Sequence, residues 1–165
     1  MKKHVLLYIL VGIVSLGLGF GIYQSQTYDF YDSSGQGYRW SELNQKVLIV
    51  NYFAEWCAPC LKEIPELNEL HQWVNTQSDL AFIAVSYDPL DVDAVERLRQ
   101  KYDIQFPVLA DVGKNFPVTP PQFLPATFIV YKQDVSNPLL GEQTFKSLQT
   151  AIQAVQNQVS LATSS

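Results

Sequence analysis

The sequence predicts an α/β domain, a central sheet flanked by helices on both faces, preceded by one membrane helix. Three observations predict it. Two nearly continuous apolar, β-rich runs, Val47–Phe53 and Leu80–Ser86, have the pattern of strands buried on both faces. Apolar residues recur at helical spacing among charged ones in the segments between and after these runs. Ahead of both lies a stretch of nineteen residues, 5–23, without a single charge.

That first stretch follows Lys2, Lys3 and His4 and is rich in Leu, Val, Ile and Gly. As a helix it would span about 28 Å, close to the hydrocarbon thickness of a bilayer. With two lysines before it and no basic residue again until Arg39, residues 1–4 are expected on the cytoplasmic side and the body of the chain across the membrane. A signal peptide cleaved near Gly19-Phe20-Gly21 is the competing reading. The length of the run favours a retained anchor.

Residues 24–159 are expected to form the domain and 160–165 a flexible tail. Gly35-Gln36-Gly37, between aromatic pieces at 28–31 and 38–40, predicts a hairpin, and Ser41 is a candidate cap for a helical turn after it. Val47–Phe53 reads as the central strand. Leu61, Ile64, Leu67, Leu70 and Trp73 then mark an amphipathic helix, with Pro65 expected to kink it. After Leu80–Ser86, the turn signal Asp88-Pro89 leads to a stripe of Val92, Val95, Leu98 and Tyr102, and residues 106–110 read as a strand. Residues 112–124, with prolines at 117, 120 and 121, read as loop; Ala126–Tyr131 as strand, Leu139–Leu140 as a short edge strand, and Phe145, Leu148, Ile152, Val155 and Val159 as the last helix.

At 165 residues, 47% hydrophobic, the chain can bury one core. From residue 24 onward nine Lys and Arg face sixteen Asp and Glu. An acidic body without a basic stripe argues against nucleic-acid binding. The sequence holds no nucleotide fingerprint, serine nucleophile elbow or His-Glu metalloprotease motif.

The only two cysteines lie in Trp56-Cys57-Ala58-Pro59-Cys60, where the central strand gives way to a helix. Two cysteines so spaced cannot staple a small secreted fold; they form a redox pair or part of a metal site. Tetrahedral zinc needs four ligands and only His4 and His71 could join, His4 from beyond the predicted span. Haem attachment needs a histidine where Leu61 stands. No metal or cofactor is therefore expected. The unpaired N–H groups and positive dipole end of the helix favour a thiolate at Cys57, the expected nucleophile, with its sulfur exposed and Trp56 as apolar cover. Cys60, buried one turn on, would resolve the mixed disulfide. Pro59 suits the first helical turn, where its missing N–H has no intrahelical partner.

The stretch from Val50 to Cys60, Val-Asn-Tyr-Phe-Ala-Glu-Trp-Cys-Ala-Pro-Cys, resembles the active-site strand and turn of thioredoxin-fold proteins. Cys60-x-x-Glu63-x-Pro65-x-Leu67 narrows the resemblance to the TlpA/ResA-like branch of membrane-tethered thiol-disulfide oxidoreductases. The added helix and strand between Tyr87 and Asp111 match that branch, and Leu124-Pro125-Ala126-Thr127-Phe128 looks like its cis-proline loop. The resemblance covers residues 28–159.

It implies a thioredoxin-like fold with a mixed sheet, Pro125 against the disulfide, and the Leu124 backbone free to pair with an extended client segment. It also implies reduction of disulfides in client proteins outside the cytoplasm, in cytochrome c maturation or copper-centre assembly, with electrons from a membrane thiol transporter of the DsbD/CcdA kind. Asn51 stands where thioredoxin has a buried acid, so the proton acceptor for Cys60 must be another group. Glu55 and Glu63 are candidates, and Glu63, one turn beyond Cys60, is preferred. A disulfide oxidase or isomerase, and a copper chaperone using both thiolates, are the alternatives. A peroxidase is disfavoured, since no third cysteine accompanies the inserted segment.

Overall fold

The computed structural model describes residues 2–25, 28–113, 116–132 and 134–163, and within the first helix the side chains at 4–5 and 8–17. That helix, α1 (Lys2–Ser25), covers the uncharged run. Among the described residues no helix is long and apolar enough to cross a membrane. The ends of the expected N-terminal segment and tail, residues 1, 164 and 165, lie outside those described, as do 26 and 27.

The expected hairpin forms from β1 (Phe30–Tyr31) and β2 (Gly37–Tyr38), paired antiparallel. Gly35 sits in its turn at φ +85, and a side chain at Gly37 would collide with the ring of Tyr28. Helix α2 (Trp40–Leu43) follows. Its N-cap is Arg39, not Ser41, and the Arg39 side chain makes no capping bond; the Trp40 N–H instead donates to Asp29 at 2.6 Å. A carboxylate from before the hairpin therefore serves where a serine was expected.

The main sheet holds β3 (Val47–Phe53), β4 (Leu80–Ser86), β5 (Val108–Leu109), β6 (Ala126–Tyr131) and β7 (Asp134–Val135) in the order β5-β4-β3-β6-β7, with β8 (Leu139–Leu140) also on β6. β3 is central, parallel to β4 and antiparallel to β6. Alternate β3 residues face two cores. Val47, Ile49 and Phe53 join α3 (Ala58–Val74), α4 (Val92–Tyr102) and α5 (Phe145–Thr163); Leu48, Val50 and Tyr52 join the hairpin, α2 and the loop around Val118.

Helices α3, α4 and α5 thus gather on one face, whereas both faces were expected to carry helices. The other is closed by the aromatic hairpin, one-turn α2 and a loop pinned where the Tyr52 hydroxyl donates to the Val118 carbonyl at 3.0 Å. The expected strand over 106–110 shrinks to two residues, β7 was not foreseen, and α5 stays helical through Thr163 where a tail was expected. Val159 and Ala162 continue the α5 face that lines a groove beside Ile129 and Val135, so the amphipathic stripe outlasts its last large residue. Pro65 lies inside α3 without ending it.

Candidate active site

Strand β3 ends at Phe53 and α3 begins at Ala58, so the turn between them delivers the cysteines to the C-terminal edge of the central strand. Cys57 is the N-cap of α3 in extended conformation, and its sulfur accepts the Cys60 N–H at 3.3 Å. Ala58 and Pro59 fill the first helical positions, the place where proline costs no hydrogen bond. Cys57 and Cys60 are joined in a disulfide.

Cys57 is 5% exposed and Cys60 1%. The expected contrast between an exposed and a buried sulfur is therefore small, because both cysteines pack into the α3-side core. Trp56 is 66% exposed and turned outward. Its Nε1–H donates to Asp88 at 2.8 Å and its ring meets Tyr87 edge-on at 6.2 Å, so the β4–α4 turn holds it.

Two polar residues are buried on the elements that flank the disulfide, β3 and α3. Asn51 is wholly buried on β3, and its Nδ2 donates to Thr127 Oγ1 at 2.9 Å. Glu63, on α3 one turn past Cys60, is 1% exposed. Its Oε1 accepts the Gln143 N–H at 3.1 Å, while Oε2 is buried without a partner. Burial pushes its carboxyl up to about 7; the Gln143 N–H and the Asn51 amide work against that rise, and the charges of Glu142 and Glu66 add to it.

Glu55 is instead a surface group. It accepts from Lys101 at 2.8 Å and Tyr102 at 3.2 Å, and the Lys101 hydrogen bond lowers its pKa. Of the two candidate acceptors only Glu63 is buried.

The Leu124–Pro125 peptide is cis, as the resemblance implied, and Pro125 is buried. Its carbonyl accepts the Gly141 N–H at 2.9 Å, whereas the half-buried Leu124 takes part in none of the turn and loop hydrogen bonds among the described residues. Leu124 packs against the core that holds both cysteines. Because β6 is antiparallel to β3, with Ala126 opposite Tyr52, this loop arrives at the end of the sheet where the disulfide sits.

His71 lies eleven residues beyond Cys60 on α3, roughly 16 Å along the helix. It bonds Asn75 at 3.1 Å instead, so it is not placed to join the sulfurs in holding copper.

The sequence matches the AhpC/TSA family over residues 24–135. It is 30% identical to the thiol-disulfide oxidoreductase ResA of Bacillus cereus, over 94% of this chain and 99% of that protein. This chain is a TlpA/ResA-like thiol-disulfide oxidoreductase. ResA of Bacillus subtilis is 26% identical over 79% of this chain and 82% of its own length. The crystal structure of StoA from Bacillus subtilis superimposes with a TM-score of 0.60 at 15% identity, covering 74% of this chain and 93% of that one, and so shares the thioredoxin-like fold.

Three contacts of this ResA-like site were not read from the sequence: Thr127, Gln143 and Asp88. Thr127 falls on the Asn51 face only through the β3–β6 register, Gln143 contributes a backbone group that no side chain announces, and Asp88 was noted only as a turn signal.

Proposed function

We propose that this enzyme is a membrane-anchored, extracytoplasmic reductase of protein disulfides. The observation that carries its chemistry is the Cys57–Cys60 pair at the N-terminus of α3, beside the cis Leu124–Pro125 bond. In the reduced enzyme the Cys57 thiolate attacks a client disulfide, and the displaced client sulfur leaves as a thiolate. Cys60 then gives up its proton, its sulfur attacks Cys57, and the second client sulfur is released. The client gains two electrons and two protons, and the enzyme ends in the disulfide form.

Glu63 accepts the Cys60 proton in this scheme. It is one helical turn away, and a carboxyl titrating near neutrality matches the working pH of a general base. Asn51 supports it, and Trp56 and Pro59 shape the approach to Cys57. An extended client segment pairs with the Leu124 backbone; the exposed apolar side chains of Trp56, Phe123 and Leu140 suit an unfolded or extended client.

The anchor is supported by the uncharged run at 5–23 behind Lys2 and Lys3. An oxidising compartment outside the cytoplasm demands a dedicated electron donor, a membrane thiol transporter of the DsbD/CcdA kind. Clients in cytochrome c maturation or copper-centre assembly follow from the family resemblance. Cys60→Ser, which cannot resolve the intermediate, should accumulate client proteins covalently bound through Cys57 in cells. Recovery of no covalent partner would rule out protein disulfides as the substrate.

A further inference from the structure

The turn between β8 and α5 touches two parts of the site that belong to different elements. The β6–β8 register sets Leu140 opposite Ala126, so the next residue, Gly141, meets Pro125. There the Gly141 N–H donates to the Pro125 carbonyl at 2.9 Å. Two residues later the Gln143 N–H donates to Glu63 Oε1 at 3.1 Å. One short turn thus presents a backbone donor to the Leu124-Pro125 loop at one end and to the buried carboxyl on α3 at the other.

The turn is held from within and at its far end. Gly141 lies at φ +79, in the left-handed region that glycine enters without cost. The Gln143 side chain folds back, its Nε2 donating to the carbonyls of Leu140 at 3.3 Å and Gly141 at 3.1 Å. Thr144 and Ser147 then cap the start of α5 reciprocally: Ser147 Oγ accepts the Thr144 N–H at 3.0 Å, and Thr144 Oγ1 accepts the Ser147 N–H at 3.2 Å. The Lys62–Glu142 ion pair beside the turn is too exposed to add much.

We propose that Gly141 and Gln143 are positioning residues, their turn a strap that keeps the Leu124-Pro125 loop and the Glu63 carboxyl in fixed relation. A displacement at one end is then felt at the other, and an extended client seated on Leu124 acts on the group that takes the Cys60 proton. That link to turnover rests on the roles proposed above for Leu124 and Glu63; the strap itself does not.

Glu63 is 1% exposed, so water cannot replace the Gln143 N–H if the turn shifts, and the carboxylate loses a donor that favours it. A Cβ at Gly141 would meet no atom within 4 Å, so substitution there acts through backbone conformation and not through a clash. Valine resists the left-handed region, whereas asparagine tolerates it.

The test follows the Glu63 carboxyl-carbon NMR signal against pH in the oxidised full-length chain in detergent, assigned by its loss in Glu63→Gln. From a wild-type value near 7, the midpoint should rise by about one pH unit in Gly141→Val and stay in place in Gly141→Asn. An unmoved midpoint in Gly141→Val, or an equal rise in Gly141→Asn, overturns the proposal. Should the valine variant not fold, the wild type decides. The Gly141 amide signal should step at the Glu63 midpoint and lose that step in Glu63→Gln; a signal constant through the midpoint overturns the coupling. These readouts report the turn and the proton on Glu63, not turnover. Unchanged exchange rates in Glu63→Gln would overturn its role as acceptor while leaving the strap intact.

Discussion

Glu63 shows how a residue can be legible in the sequence while its environment is not. Its distance from Cys60 placed it one turn beyond the second sulfur, but its burial was not legible, since charged side chains are mostly exposed. The structure buries it on α3, and Gln143, in the turn before α5, supplies a backbone donor. An acid whose folded pKa of about 7 lies above its unfolded value of 4.5 binds its proton more tightly when folded. Stability must then fall as pH rises from about 4.5 to 7 and level off above. The expected loss is on the order of 3 kcal/mol across that window. Denaturant titrations of the oxidised protein at several pH values should show this slope, and Glu63→Gln should abolish it. In exchange assays at neutral pH the same substitution should slow release of the mixed disulfide ~100-fold, while leaving initial attack by Cys57 near the wild-type rate.

Helix α3 does more than present the cysteines. Glu66 Oε2 accepts the Phe145 N–H at 2.7 Å, so an α3 carboxylate satisfies the first turn of α5. Asn68 is 9% exposed; it donates to the Asp103 carbonyl at 2.8 Å and accepts the Gln105 N–H at 2.9 Å. Asp103 is the left-handed C-cap of α4, so Asn68 ties the end of the inserted helix to the active-site helix. Glu66→Ala should cost about 1 kcal/mol in chemical denaturation, against nearly nothing for exposed Glu69→Ala. Asn68→Ala, which strands two backbone groups, should cost about 2 kcal/mol or more.

Neither role was legible, because a helix's polar positions look alike until the partner turn is in place. β3, β4 and β6 were legible to the residue, since each is an unbroken apolar run bounded by polar or turn residues. So was the two-residue β8, whereas β5 was expected longer, over 106–110, and β7 was not expected; β5 and β7 are bounded by their pairing with a longer neighbour.

For the molecule as a whole, the alternation of strands and helices gave the α/β class, but not how the helices divide between the faces. The second face is closed by Phe30, Tyr38, Trp40 and Phe116, which sit in two-residue strands, a one-turn helix and a loop, pieces too short to carry a helical or strand period. The proposed topology predicts that, after mild reduction, a membrane-impermeant thiol reagent labels Cys57 in intact cells or spheroplasts. Labelling only after lysis would place the domain on the other side. The antiparallel seat of β6 also sets an order of events. About seventy residues separate the cysteines from the strand and cis-proline loop that meet them, so a chain emerging N-terminus first presents both sulfurs long before their cover exists. During that interval the pair is an ordinary, unselective dithiol. If clients pair with the Leu124 backbone as proposed, their recognition begins only when the distant half of the sheet has closed over the cysteines.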